Sequence, residues 1–271
     1  MPMTGRRALL RGVIALLAGG CMSNARRLDT PASKLDTFAL RHKEPNERFY
    51  ALVWSSQRVI RRPAYTHTFL TVVRAVDRPG QEPALDHHTI SWLPATLEIR
   101  PLDFRVEPGV NLGLRETLDL AQRTRQRVSL WGPYETHASF YRRFLVQKGF
   151  METSGVGYQC ADSVGEAPRT GRGCCCIHAI TDMDPTYDRT SFPLVWHGDS
   201  ASEHLANRMH KGTTLIDPGA DHSWLIGALG LDANPIRRRH YGDRVLEFPR
   251  VPRGSRSAPL PPRPASDAAA R

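Results

Sequence analysis

Covalent chemistry in this chain would draw on one cysteine and two histidines. The cysteine is Cys176, the last of the run Cys174-Cys175-Cys176, and the histidines are His67 and His88. Ile177 to Thr181 reads as the start of a helix, so Cys176 stands where the positive end of a helix dipole favours thiolate. An imidazole beside such a thiol takes its proton, and a second polar group fixes the tautomer of that imidazole. His67 lies in Tyr65-Thr66-His67-Thr68-Phe69 and His88 in His88-Thr89-Ile90-Ser91-Trp92, both with the residue types of strands. Alternation puts His67 on a face with Tyr65 and Phe69, and His88 on a face with Ile90 and Trp92. Both are expected to point to a packed side covered by a helix, and His87 away from it.

The remaining polar residues suggest less. Cys160 is placed to bridge to Cys174 or Cys175, whereas neighbouring cysteines bridge each other only with strain. Cys174-Cys175-Cys176-Ile177-His178 lacks the spaced ligand pairs of closed zinc sites, so no metal and no cofactor are expected. His178 is two residues from Cys176, so a helix turns it elsewhere. His197, Asp199, His204, Asp217 and His222 are read as caps and surface polarity, with Asp199 and Asp221 where caps are wanted. Trp92, Trp131, Trp196 and Trp224 are expected as core anchors.

The elements that must position these groups read as a mixture. Phe49 to Ser55, Tyr65 to Val73 and His88 to Leu93 have strand character, with a turn at Pro79-Gly80 and a further strand at Thr96 to Arg100. Asn111 is the expected N-cap of a helix from Leu112 to Arg127. Val128 to Trp131 is a short strand broken by Gly132-Pro133. Residues 136–148 carry apolar groups at helical spacing, and Gly155 to Cys160 reads as a strand. Ser200-Ala201-Ser202-Glu203 has the form of a capping box for a helix through His210. Thr213 to Ile216 reads as a strand, and Asp221 as the cap of a last helix that stops at Gly230. The total is an α+β domain, an antiparallel sheet with packed helices.

Cys176-Ile177-His178-Ala179-Ile180-Thr181 resembles the cysteine motif of the lecithin:retinol acyltransferase family, Asn-Cys-Glu-His-Phe-Val, with Cys175 where that family has Asn. The family belongs to the circularly permuted papain-like hydrolases and acyltransferases. In these a strand histidine comes first, a second histidine or other polar residue follows on the next strand, and the cysteine comes last on a helix. The resemblance implies Cys176 as nucleophile, His67 as base and His88 as orienting residue. It implies a permuted papain-like fold acting on lipid esters, thioesters or amides through an acyl-cysteine.

The first residues predict where this chemistry takes place. Arg6, Arg7 and Arg11 precede an apolar run, Gly12 to Gly20, that ends at Cys21. A helical span needs ~20 residues, so residues 1–20 read as a signal peptide. Ala18-Gly19-Gly20-Cys21 resembles a bacterial lipobox, with lipidation at Cys21, and Arg6-Arg7-Ala8-Leu9-Leu10-Arg11 resembles a twin-arginine export signal. The expected organisation is a tether over 21–46, one globular domain over 47–249, and a disordered Pro/Ala/Arg-rich tail over 250–271. The net charge of +10 falls to +7 without the three leader arginines, and the tail, with five Arg and one Asp, holds +4 of that. The core is thus about +3 and nowhere interleaves cations with aromatics, which argues against a nucleic-acid partner. The expected partners are the membrane, through the Cys21 lipid, and a lipid or cell-wall acyl or amide substrate. A non-catalytic envelope lipoprotein that binds a protein, or an enzyme that has lost its chemistry, is the alternative.

Overall fold

The computed structural model describes residues 28–58, 66–101, 103, 105–162, 172–187, 198–232 and 234–243. It is an α+β structure around a five-stranded sheet of order β3-β2-β1-β6-β9. Strands β1 (Glu47–Arg58), β2 (Thr66–Arg78) and β3 (Gln81–Ile90) form an antiparallel meander, and β6 (Gln126–Thr136) adds antiparallel to the other side of β1. Strand β9 (Ile236–Arg239) pairs parallel with β6. The central strand is apolar at successive positions because both of its faces are covered. Phe49, Ala51 and Val53 enter one core, and Tyr50, Leu52 and Trp54 the other. Pro79-Gly80 makes the β2–β3 turn, with Gly80 at a φ of 71° that suits a residue without Cβ. The polar residues after it continue as strand. β3 is an edge strand, where Pro83 costs no ladder bond.

Gly132-Pro133 does not end the strand as expected. β6 runs through this cis pair, and the register against β1 shifts between Ala51 and Val53. Two residues there oppose one, a β-bulge. Gly132 sits at a φ of 90°, and a Cβ would lie 2.9 Å from the carbonyl oxygen of Ala51.

A second, four-stranded sheet has order β4-β5-β7-β8. Its strands are β4 (Trp92–Pro94), β5 (Glu107–Asn111), β7 (Gly157–Tyr158) and β8 (Gly173–Cys174). It delivers the chain from Cys174 directly into the cysteine helix. Residues 96–100 form no strand there, and β5 was not expected.

Among the described residues, five α-helices pack on the sheets: α1 (Leu114–Arg123), α2 (Ala138–Thr153), α3 (Cys176–Thr181), α4 (Gly198–Lys211) and α5 (Trp224–Ala228). α1 begins two residues later than the sequence suggests, because Asn111 ends β5 and Gly113 is the N-cap, its N–H donating to Glu116 Oε2 at 2.7 Å. Ser200 is inside α4 rather than capping it. Thr213–Ile216 contributes one isolated bridge, Leu215 to Thr136. Asp221 accepts the N–H of Ser223, which is the N-cap of α5.

Helices α2, α3 and α4 share one core with Leu70, Val72, Trp92 and Trp131. α1 and α5 share the other with Trp54, Phe69 and Val73. Part of the stretch read as a tether belongs to the first core. Leu28 and Ala32 are buried, and the N–H of Leu28 donates to Asp182 Oδ2 at 3.0 Å. Among the described residues, no helix is long and apolar enough to cross a membrane.

Candidate active site and cysteine cluster

His67 is the second residue of β2 and 4% exposed. Its ring stacks on Phe69 at 5.6 Å, and its Nε2 lies 2.9 Å from Ser91 Oγ. Burial pushes its pKa down to about 3, so the ring is neutral. Nδ1 is buried and has no hydrogen-bond partner among the described residues. Ser91 is fixed in turn. Its N–H donates to Asn111 Oδ1 at 2.8 Å, and the Asn111 amide donates to the carbonyl of Thr89 at 3.0 Å. Asn111 thus fastens the point where β3 passes into β4 instead of capping a helix.

Cys176 is the first residue of α3 and is buried. Its sulfur meets β2 at the backbone N–H of Thr68, the residue after His67. Burial pushes the thiol up to about 12, and the backbone N–H groups of Thr68 and Ile177 partly offset this. Thr68 lies beyond the last β2–β3 pair, Leu70 with Ile90. At rest Cys176 is therefore a thiol and His67 a neutral imidazole. The thiolate expected from a helix dipole is not favoured, because α3 has six residues and desolvation outweighs what its first turn supplies.

His88 is not brought to this place. It pairs with Val72 across the ladder, so the two share a face. Val72 is five positions from His67, and an odd offset in a strand means opposite faces. Cluster membership agrees, with Val72 in the core that α2 and α3 share and Phe69, the partner of His67, in that of α1, and Cys176, at the start of α3, meets β2 at the backbone N–H of Thr68. His88 lies 3.2 Å from Asp86 Oδ1, and its ring is 6.1 Å from that of Tyr141. It is on the opposite face of the sheet from His67, whose Nε2 lies by Ser91 Oγ instead. The sequence placed both histidines on strands correctly but could not supply the pairing that decides between faces.

Next to Cys176 lies a second cluster. Cys175 is the N-cap of α3 and His178 is in its first turn. At this i, i+3 spacing they face each other, with Cys175 Sγ 3.4 Å from His178 Nδ1. The same Nδ1 lies 2.6 Å from Asp162 Oδ2, which also accepts the N–H of Cys175 at 2.8 Å. All three residues are buried. Burial and the charge of Asp162 hold the Cys175 thiol well above its ordinary range. This is not a nucleophile–base–orienter chain, because sulfur and carboxylate meet one nitrogen rather than opposite sides of the ring. The spacing was visible in the sequence from Cys175, though not from Cys176. Nothing there pointed to Asp162, which comes from the segment after β7.

No disulfide joins Cys160, Cys174, Cys175 and Cys176. Asp199, read as surface polarity, is buried, accepts from Ser55 and pairs with Arg127, which ties α4 to β1 and β6. Trp92 and Trp131 are core residues as expected. Cys21, residues 1–20, Trp196, His197 and the tail from 250 lie outside the described residues. A cavity of about 880 Å³ between α2 and α4 is lined by Arg143, His204 and Arg208 among others, and neither His67 nor Cys176 reaches it. Comparison with protein-family models, curated proteins and solved structures finds no match to this chain.

Proposed function

We propose that the protein is a thiol hydrolase or acyltransferase in which Cys176 is the nucleophile, His67 the base and Ser91 the orienting residue. It acts on a lipid or cell-wall acyl or amide group from the outer side of a bacterial membrane, held there by a lipid on Cys21. One observation carries the catalytic reading. The Cys176 sulfur sits at the N–H of Thr68, the residue next to His67, while Ser91 Oγ lies 2.9 Å from Nε2 of that imidazole. With Ser91 Oγ accepting from Nε2–H, Nδ1 is left as an acceptor, which is what a base needs.

With Nε2–H donating to Ser91 Oγ, the Nδ1 lone pair takes the thiol proton as sulfur bonds to the substrate carbonyl. The departing alcohol, thiol or amine receives that proton from His67, leaving an acyl-cysteine. Water or an amine then attacks the acyl carbon, giving its proton to Nδ1, and sulfur leaves and recovers it. The N–H groups of Thr68 and Ile177 are the donors available where the oxyanion forms. Because the resting pair is uncharged, proton transfer accompanies substrate attack and does not precede it. The chain order, strand base before helix nucleophile, resembles that of the permuted papain-like enzymes and supports this reading.

The test is turnover of a panel of acyl esters, acyl thioesters and cell-wall peptides. Cys176→Ala should abolish it. His67→Ala should lower kcat/KM by about 10²–10⁴-fold, the usual contribution of a positioned base. His88→Ala should leave it within a factor of two or so of the parent, because its exposed pairing with Asp86 contributes at most ~1 kcal/mol to the fold. Full activity in Cys176→Ala would sink the proposal.

A further inference from the structure

Asp162, Cys175 and His178 present three different donor atoms within 4.8 Å of one another, and each residue is more than nine-tenths buried. None of them has a role in the chemistry assigned to Cys176. A single ring nitrogen holds either one proton or one lone pair. Hydrogen bonding therefore serves one of its two partners here well and the other poorly. A divalent cation at their common centre would serve carboxylate, thiolate and imidazole together.

We propose that Asp162, Cys175 and His178 bind one zinc ion per chain. The donor set of one sulfur, one nitrogen and one oxygen is borderline-soft. It suits zinc and not the hard cations magnesium or calcium, which prefer oxygen alone. Zinc bonds of ~2.0–2.3 Å in a tetrahedral arrangement require donors about 3.3–3.6 Å apart. Cys175 Sγ and His178 Nδ1 already stand 3.4 Å apart. Asp162 Oδ2 and Nδ1, at 2.6 Å, need to open by less than an ångström as the ion replaces the hydrogen bond between them. The N–H of Cys175, 2.8 Å from Asp162 Oδ2, holds the carboxylate in place from outside the coordination sphere. The ion would fasten the segment after β7 to the first turn of α3, the turn that begins with Cys176. The site stands independently of the acyl chemistry.

The experiment uses the full mature chain, with zinc content measured after purification without chelator. The ion is then removed and Co²⁺ titrated in, since cobalt bound by thiolate shows a charge-transfer band in the near ultraviolet. One zinc per chain and a band saturating at one cobalt equivalent are expected. In folded protein, checked by circular dichroism, Cys175→Ser should abolish the band, and Asp162→Asn and His178→Gln should weaken cobalt binding at least tenfold. Cys160→Ser and Cys174→Ser should keep it. If Cys175→Ser does not fold, the Asp162→Asn titration decides alone. A parent protein without zinc and without a thiolate–cobalt band overturns the proposal, as does a band that survives Cys175→Ser or unchanged cobalt affinity in Asp162→Asn.

Discussion

A neutral imidazole enclosed by the protein leaves a mark on stability that can be measured without a substrate. The folded His67 holds its proton only near pH 3, against 6.5 for an ordinary histidine. Below 6.5 the unfolded chain gains a proton that the folded chain refuses. Stability from this group is therefore intact above pH 6.5 and falls with acidification, by up to about 1.4 kcal/mol per pH unit, until pH 3 is approached. Denaturant unfolding between pH 7 and 4 should show this slope, and His67→Gln should remove it. An unchanged slope would mean that His67 is wetter than described. Ser91→Ala should lower turnover less than His67→Ala does, because it loosens the ring without removing it. Asn111→Ala should act in the same direction, since Asn111 fixes the backbone that carries Ser91. Cys176, His67 and the polar partner differ in how legible they were. Cys176 and His67, as proposed nucleophile and base, rest on residue type and local pattern. Ser91 was passed over for His88 because alternation along one strand does not say which face its neighbour shares.

At the scale of elements, α4 is the piece that closes on the strand bearing His67. Gly198, its first residue, donates to Gln57 Oε1 at 3.0 Å and also contacts Thr66 Oγ1. A Cβ on Gly198 would lie 2.7 Å from the carbonyl oxygen and 2.9 Å from the nitrogen of His67. Both are backbone atoms in a ladder and cannot yield. Gly198→Ala should therefore destabilise the fold by about 1–3 kcal/mol and lower activity further by shifting His67, read as a drop in Tm together with kcat/KM. A variant as stable and active as the parent would contradict the close packing of α4 on β2. The strands of the meander were legible because both faces of β1 and β2 are apolar and β-branched. The strand read at Gly155 to Cys160 is present as the two-residue β7, but the short β8 and the late β9 were not legible, since two to four residues carry too little pattern and are held by partners distant in sequence. The bulge at Gly132-Pro133 was read as an end for the same local reason. Turn residues mark a deviation, and only the partner strand shows that pairing resumes.

The whole molecule adds a constraint from length. Leu28 is buried in the domain, so a lipid on Cys21 would be joined to the folded part by seven residue steps, about 25 Å at full extension. On the proposed anchoring, the domain works against the bilayer surface. Cys21→Ser should move the protein from the membrane to the soluble fraction with unchanged turnover of soluble substrates. Inserting twenty Gly/Ser residues after position 22 should slow turnover of membrane-embedded substrates alone. Equal turnover of both substrate types with the insertion would remove the argument from tether length. The α+β class was legible because period-2 and helical patterns alternate along the chain. The division into two cores, and so the side on which each histidine sits, required the folded sheet.

The central claim is that Cys176 carries the acyl group, and its most direct test is acid-quenched mass spectrometry of the protein mixed with a slowly turned-over acyl thioester. The account predicts one acyl increment on the peptide containing Cys176, absent in Cys176→Ser, strongly delayed in His67→Ala and unaffected in His88→Ala. Acylation of Cys175 or Cys160 instead, or none on any cysteine while the substrate is consumed, would contradict it.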